Sequence, residues 1–545
     1  MRFEVRRVPF PPPRLAEIVL RTLPTLVLLL AACGDDGRGP RLDASFDATV
    51  DVRDDRSLDG DVQPADARVD AACRDADRDG VSDCEGDCDD TDPLRYPDAP
   101  EICGDGVANG CGTAVDPGCM DRGTFVAPPP VGDDANPGTK TSPVATIQQG
   151  LRNAAQIGMA TVVVVVAEGT YAEKVDLPNG VELRGGLTPD FSSRGEASVL
   201  SPPADPGADD VATLAVAGGV EATVRDFRVS TVASGPTHRT GVRIATDGSL
   251  TLSSVEVRCR APERCVGIDV NGGTLAAANV EIQLSEGNER FGVSLVDAVN
   301  TTLDDVRVTA DGGEDVAGFL IQGGDVESHA AIVTLDGVRR SVVGIVVSGE
   351  TDTTLYNGVV RIGTVADAAG VSAGIELRYL QPPQRRPSIL IHSNLLVGGA
   401  GGARSSGLAF NFNGGAVLIA GRVYNNNFRS GSGTERFAVA ENDIGIDPEV
   451  FENNALYVDP GGGAAYLDEA RFDLDDASEI NDVGGHRDNL VENCEPQSLS
   501  GGDYRLPASS PCIDAGGRRE LPPTDFLGGP RGLGIAPDIG PHEAG

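Results

Sequence analysis

The sequence predicts an all-β chain wound as a three-sided parallel β-helix, with a capping helix at its start and a small cysteine-rich module ahead of it. Three observations carry this expectation. A glycine followed by a short apolar run recurs at Gly241, Gly267, Gly292, Gly318 and Gly344, at steps of 25 or 26 residues, and again at Gly374 and Gly407 after longer steps. A second alternating stretch follows, as in Val255-Glu256-Val257 and Val280-Glu281-Ile282. Period-two alternation turns Val and Ile inward and the charged residue outward. A constant period holding several short strands marks a solenoid, and about 25 residues fits one three-sided coil where a propeller blade needs about 40. The composition agrees: 70 glycines, no Trp and only 4% aromatics favour β structure with tight turns.

The elements read in order as follows. Residues 1–32 carry five arginines and then an apolar run too short to span a bilayer, the pattern of a signal peptide. Leu30-Ala31-Ala32-Cys33 resembles the bacterial lipobox, which makes Cys33 the lipidated N-terminus of a mature lipoprotein and the membrane a partner through that anchor. Residues 33–72 are rich in Asp and poor in apolar side chains, so they read as a disordered acidic tether. Residues 73–120 hold six cysteines and a dense run of aspartates, and residues 121–545 hold the repeats. Just before the repeats, SPVATIQQGLRNAAQIG offers Ser142 as N-cap and Pro143 for the first turn. Val144, Ile147, Leu151 and Ala154 then fall on one helical face, as a lid over the open end of a solenoid requires. Val162 to Val166 predict a strand buried on both sides.

The module raises the sharpest chemical question. Half of DADRDGVSDCEGDCDDTD, residues 75–92, is carboxylate. Such crowding repels itself unless a cation sits inside it. Asp75, Asp77 and Asp79 alternate, and Gly80 follows for a sharp turn, the spacing of the first half of an EF-hand-type loop. Val81 takes the backbone-carbonyl position and Asp83 the ninth, but Gly86 stands where the bidentate Glu belongs. Asp87, Asp89, Asp90 and Asp92 are then expected to complete the shell or form a second site. Hard oxygen ligands and the lack of His in the module point to calcium. Ten cysteines in local groups are disulfide candidates of an exported chain: Cys73, Cys84, Cys88, Cys103, Cys111 and Cys119, then Cys259 with Cys265, and Cys494 with Cys512. The pairing within the first six stays open.

Three resemblances extend this reading. Residues 75–119 resemble the metal-binding motif of MopE-type proteins, common in myxobacterial lipoproteins, through DxDxDG, DCDD and PEIC. The later part departs from that pattern, since Ala108, Gly110 and Gly112 replace acidic positions, and no metal is expected at Asp105, Asn109 and Asp116. Residues 124–186 resemble the N-terminal part of right-handed parallel β-helix proteins of the pectate-lyase-like class. The closing DYRLPASSPCIDAGG and DIGPHE resemble the C-terminal region of bacterial surface β-helix proteins called choice-of-anchor Q. Together they imply a right-handed coil on an outer-membrane or surface lipoprotein of a Gram-negative bacterium.

Function is less constrained. Eighty-three acidic against 44 basic side chains, a net charge of −39, exclude a nucleic-acid partner. Polysaccharide lyases and hydrolases of the class converge carboxylates and a base on one face. The nearest groupings here, Asp304-Asp305 with Arg307, Glu314-Asp315 and Asp325, read instead as turn-forming or solvated acids, and the five histidines are scattered. No catalytic residue is assigned. The expectation is a non-enzymatic cell-surface or periplasmic protein that binds a polysaccharide, matrix or surface protein. A pectate-lyase-like lyase or hydrolase is the alternative, and a passive spacer the third.

Overall fold

The computed structural model describes residues 75–544, except 76, 78, 100, 101, 103, 104, 106, 113–122, 159, 204–210, 232–236, 380–382, 413–417 and 420. The signal peptide, Cys33, the acidic tether, Cys73, Cys103, Cys119 and Asp116 lie outside the described residues. Residues 70–545 pack as one unit, so the cysteine module and the coil are not separate bodies.

The coil is a parallel β-helix of about ten turns. Parallel pairing runs from Phe125–Val126 on the first coil to His486–Arg487 on the last. Long strands such as Glu289–Asp311 turn through more than one side and pair with neighbours all along. The repeat glycines stack in one column: Thr240 pairs with Val266 and Val242 with Ile268, which sets Gly241 on Gly267, and the same register continues to Gly407. A Cβ on Gly241 would lie 2.6 Å from the Gly267 carbonyl oxygen and 2.5 Å from Val257 Cγ1; on Gly318, 2.6 Å from the Gly344 oxygen and 2.4 Å from Val333 Cγ1. None of these glycines has a left-handed φ. They are there because the coil wall leaves no room for a side chain.

A second column marks a corner. Ser254, Asn279, Asp305, Ala330, Asn357, Ser393, Asn425 and Asn453 share left-handed φ values of 47° to 57°. Asn, Asp and Ser recur because their short polar side chains tolerate this conformation. Asp305 is therefore a turn residue, as its sequence context implied. Inside, Val257, Ile282, Val308, Val333 and their neighbours are fully buried and form one continuous core.

The helix Ile147–Ile157 covers the N-terminal end, with Ile147, Leu151, Ala154 and Ile157 buried. Its start corrects the sequence expectation. Thr146, not Ser142, is the N-cap: its side chain accepts from the Gln149 amide at 3.2 Å. Ser142 is drawn instead into a bridge with Thr139, and Val144 pairs with Val126, so both are spent on sheet contacts before the helix begins. The Glu173 carboxylate accepts from the Ile147 and Gln148 amides, adding negative charge where the helix dipole favours it.

The strand Val162–Ala167 is buried on both sides for two different reasons. Val162, Val164 and Val166 face the coil core. Val163, Val165 and Ala167 face outward and are covered by Leu94 and Ile102 of the cysteine module, together with Phe125, Leu187 and Phe191. Arg184, paired with Glu182 in this covered layer, donates to the Tyr96 hydroxyl at 3.0 Å.

At the far end the chain beyond Cys494 folds back along the corner column. Asn425 exchanges hydrogen bonds with Gly517 at 2.7 and 2.8 Å, and Arg531 donates to Asn357 at 2.7 Å. Among the described residues no helix is long and apolar enough to cross a membrane.

Candidate metal centre

The loop from Asp75 to Asp87 is built around its own carboxylates. Asp77 accepts from the Asp79 amide (3.1 Å), Asp79 from the Val81 amide (2.9 Å) and Asp75 from the Gly80 amide (3.1 Å). Each bond uses one oxygen and bends the chain so that the other points inward. Gly80, at φ 99°, closes the bend. Ligand oxygens of Asp75, Asp77 and Asp79 all lie within 4.8 Å of one another.

The second oxygens decide the chemistry. Asp75 Oδ1, Asp77 Oδ2, Asp79 Oδ2 and Asp87 Oδ2 are shielded from solvent and have no hydrogen-bond partner. Asp77 as a whole is only 8% exposed. Burial, then the neighbouring charges of Asp79, Asp87 and Asp75, pushes its carboxyl up to about 6, and burial with the Asp87 and Asp75 charges raises Asp79 too. Four unpartnered carboxylate oxygens are costly on their own. Those of Asp75, Asp77 and Asp79 lie together and fit a hard divalent cation, while Asp87 stands near enough to raise Asp77 without joining their group.

Only part of the expected ligand set converges. Asp89 is turned away, with Oδ2 2.9 Å from Arg95 and Oδ1 accepting the Thr91 hydroxyl. Asp92 accepts from the Leu94 amide and starts the next turn. Asp83 opens the short 3-10 turn Asp83–Glu85, and neither it nor Asp90 joins the Asp75 group. The reason is local. After Gly86 the chain must reach Cys88, which is bonded to Cys111, and the acids beyond it serve the turns that this crosslink fixes. Cys84 is also disulfide-bonded. Asn109, fully buried, holds the module's centre: it accepts from the Ile102 amide and donates to Leu94 O and to Asp105. The structure also bonds Cys259 to Cys265 and Cys494 to Cys512.

A second acidic group lies at the other end of the coil and was not foreseen. Glu441, Asp447 and Asp468 converge from distant positions in the chain. Burial raises all three, Glu441 to about 8. Both Glu441 oxygens are engaged, by the Tyr466 hydroxyl at 2.5 Å and the Glu469 amide at 3.1 Å, and the residue is 1% exposed. Of the other acids weighed as catalytic, Asp305 is paired with Arg307 at 3.0 Å and Asp315 with Arg340, while Asp304 is hydrogen-bonded to His329 at 2.8 Å.

Comparison with known proteins places the module and the coil separately. A family model described as "Putative metal-binding motif", of the MopE copper-binding type, matches residues 87–117. The match begins after the DxDxDG loop and takes in the later segment in which the sequence departs from the acidic pattern. No curated protein matches the chain. Among solved structures the chain is similar to the catalytic domain of a GH87 α-1,3-glucanase (14% identity, 63% of this chain and 67% of that one, TM-score 0.38). It is also similar to pectate lyase Pel9A (14%, 77% and 96%, 0.27) and to the A-module of an Azotobacter vinelandii mannuronan C-5 epimerase (14%, 59% and 91%, 0.33). Scores this low add nothing about activity, and the fold rests on the strand pairing above. The chain is thus a parallel β-helix protein with a metal-binding motif at its N-terminal side.

Proposed function

We propose that this chain is an exported, lipid-anchored binding protein of the cell surface or outer membrane. Its acidic module holds calcium, and its coil presents long faces to a glycan, matrix or protein partner. The observation that carries the reading is the set of four unpartnered carboxylate oxygens on Asp75, Asp77, Asp79 and Asp87. Oxygen-only donors favour calcium over zinc or copper, which prefer nitrogen and sulfur. The cation would also brace the coil, because the residues that follow the loop, Leu94 and Ile102, cover the outer side of the first strands. The anchor rests on the lipobox resemblance at Cys33, and an anchored shaft with a braced base suits presentation of a surface.

The test is calcium titration of the oxidised chain by calorimetry, with a thermal melt alongside. Extracellular calcium modules bind with Kd of about 0.1–1 mM. Binding in that range, with a melt that rises on adding calcium and an Asp77→Asn variant that loses both, supports the reading. Heat from copper but none from calcium overturns the metal. Radiolabelled palmitate retained by the wild type and by Cys33→Ala alike would sink the anchor.

A further inference from the structure

One outward column of the coil ends on an aromatic ring. The strand Ala455–Tyr457 pairs with Asn427–Arg429 of the coil before it, and beyond it only Ala455 bridges on, to Leu490. Leu456 between them is part of the core, so Tyr457 faces outward. Among the described residues no further coil stacks on it. On the side of the preceding coil the Arg429 guanidinium lies 4.7 Å from the ring centroid.

Tyr457 also lines a cavity of about 350 Å³, within the range of small-molecule sites. Val458 and Val491, both packed against the core, give the cavity apolar walls. Asp475, Glu492 and Asn493 line it as well and are exposed, so it opens to solvent.

The walls are fixed. Leu456 N donates to Leu490 O at 2.8 Å, and the Cys494–Cys512 bond holds the end of the segment that carries Glu492 and Asn493. Arg429, only 6% exposed, donates to Asn493 Oδ1 at 2.8 Å and leaves the Asn493 amide N–H groups uncommitted. The Asp475 and Glu492 carboxylates and the Tyr457 hydroxyl have no hydrogen bond or ion pair among the described residues. The cavity thus joins a flat apolar face to two free acceptors and a free donor.

We propose that this cavity binds a ring of a neutral saccharide. The Tyr457 ring and the two valines meet the C–H face of the sugar, as an aromatic body does with an apolar surface. Asp475 and Glu492 accept from its hydroxyls in charge-assisted hydrogen bonds, and Asn493 donates to a ring or hydroxyl oxygen. Charge sets the class. Two carboxylates repel an acidic sugar. The Arg429 guanidinium already draws on the Tyr457 ring and opposes a second cation there. The inference rests on the glycan arm of the function proposed above and names its site and sugar class; it does not depend on the cation centre.

The probes are neutral trisaccharides of glucose, galactose and mannose, with trimers of galacturonic acid and of glucosamine as charged controls. Each is titrated by calorimetry into the full oxidised chain, with calcium and with EDTA. The expected result is saturable binding of a neutral trisaccharide in both conditions, with both charged controls at least tenfold weaker. Tyr457→Ala and Glu492→Ala should each weaken it at least fivefold, while the melt of Glu492→Ala, a change at an exposed side chain, stays at the wild-type value. Neutral binding unchanged in both variants overturns the cavity and leaves the glycan reading standing. Tighter binding of a charged control overturns the sugar class. Binding of none of the probes overturns the proposal and removes the glycan arm with it.

Discussion

The early and late coils solve one position in opposite ways. Just after the left-handed corner the chain turns one residue inward on each coil. In the early coils that column reads Val255, Val280, Val306, Ala331 and Gly358; in the late coils it reads Asn394, Asn426, Asn454 and Asn489. The apolar half needs nothing from its neighbours but contact. The amide half is a ladder. Asn394 N donates to Asn426 Oδ1 at 2.9 Å, Asn426 N to Asn454 Oδ1 at 3.0 Å, and Asn454 N to Asn489 Oδ1 at 3.0 Å. It begins where Gly358 N donates to Asn394 Oδ1 at 2.7 Å and ends on Asn481 of the short helix Ala477–Asn481. Early coils repeat every 25 or 26 residues, but late ones carry longer inserts. Longer loops cost more closure entropy, and a directional ladder fixes the register that a looser repeat leaves free.

Exchanging residues between the halves breaks the comparison. Asn426→Val strips Asn394 N of its acceptor and leaves the Ile391 and Tyr424 carbonyls without the amide that donates to them at 2.9 Å. Several buried groups left unpaired should cost about 4 kcal/mol, read by chemical denaturation. The reverse change, Val280→Asn, buries one amide with no ladder to join and should cost about 2–3 kcal/mol. Adding Val306→Asn on the next coil should cost less than the sum of the two singles, because adjacent amides can pair. Additive costs would show that an amide ladder needs more than stacking. Gly318→Ala tests what both halves share: the methyl meets Val333 and the Gly344 carbonyl, and overpacking there should cost about 2 kcal/mol.

This contrast also marks what the sequence makes legible. The early coils are plain because Val and Ile alternate at a fixed period, and the glycine column repeats with them. The late amides escape notice because Asn reads as a loop residue, and nothing in Asn425-Asn426-Asn427 says that the middle side chain is inside. The acidic loop was legible through Asp75, Asp77 and Asp79, since alternate carboxylates before a glycine constrain the backbone locally. Its boundary was not, because Asp89 and Asp92 differ from Asp87 only in what the fold sets beside them: Arg95 and the Leu94 amide. The group Glu441, Asp447 and Asp468 is assembled by stacking and has no local signature. The module's cover over Val163 and Val165 was half visible, as a run of valines too apolar for one buried side.

The late end should also answer to pH. Burial raises the Glu441 carboxyl from 4.5 to about 8, so the native state keeps a proton that the unfolded chain gives up at lower pH. Between about pH 4.5 and 8 the native state binds more protons than the unfolded one, so stability falls as pH rises through that window. Below it the cost is absent, and above it the cost is complete. The melting temperature should therefore drop between pH 5 and pH 9. Glu441→Gln, which keeps an acceptor for the Tyr466 hydroxyl, should flatten the part of the drop above about pH 6, where Asp77 no longer contributes. A wild-type melt that is level across this range, or one that falls equally in the variant, would assign the titration elsewhere.

The smallest difference concerns the two disulfides of the coil. Cys259–Cys265 in the early half closes a separation of 6 residues, and Cys494–Cys512 in the late half one of 18. By loop entropy alone the first stabilises by about 2.2 kcal/mol and the second by about 3.2 kcal/mol, a gap of about 1 kcal/mol. Position should widen it. Cys512 packs with Ala455, Leu506 and Ile539, and Asn427 donates to the Cys494 carbonyl at 2.6 Å, so this bond holds the returning segment on the last coils. Replacing Cys494 and Cys512 by Ala should speed amide exchange at Gly517 and Gly540, which bond Asn425 at 2.7 Å each. Replacing Cys259 and Cys265 should leave exchange along Val257 and Ile282 as it was, because those strands are held by pairing on both sides. Equal exchange in the two variants would mean that the returning segment is held by its contacts with the corner column, and that its disulfide adds only the entropy of a closed loop.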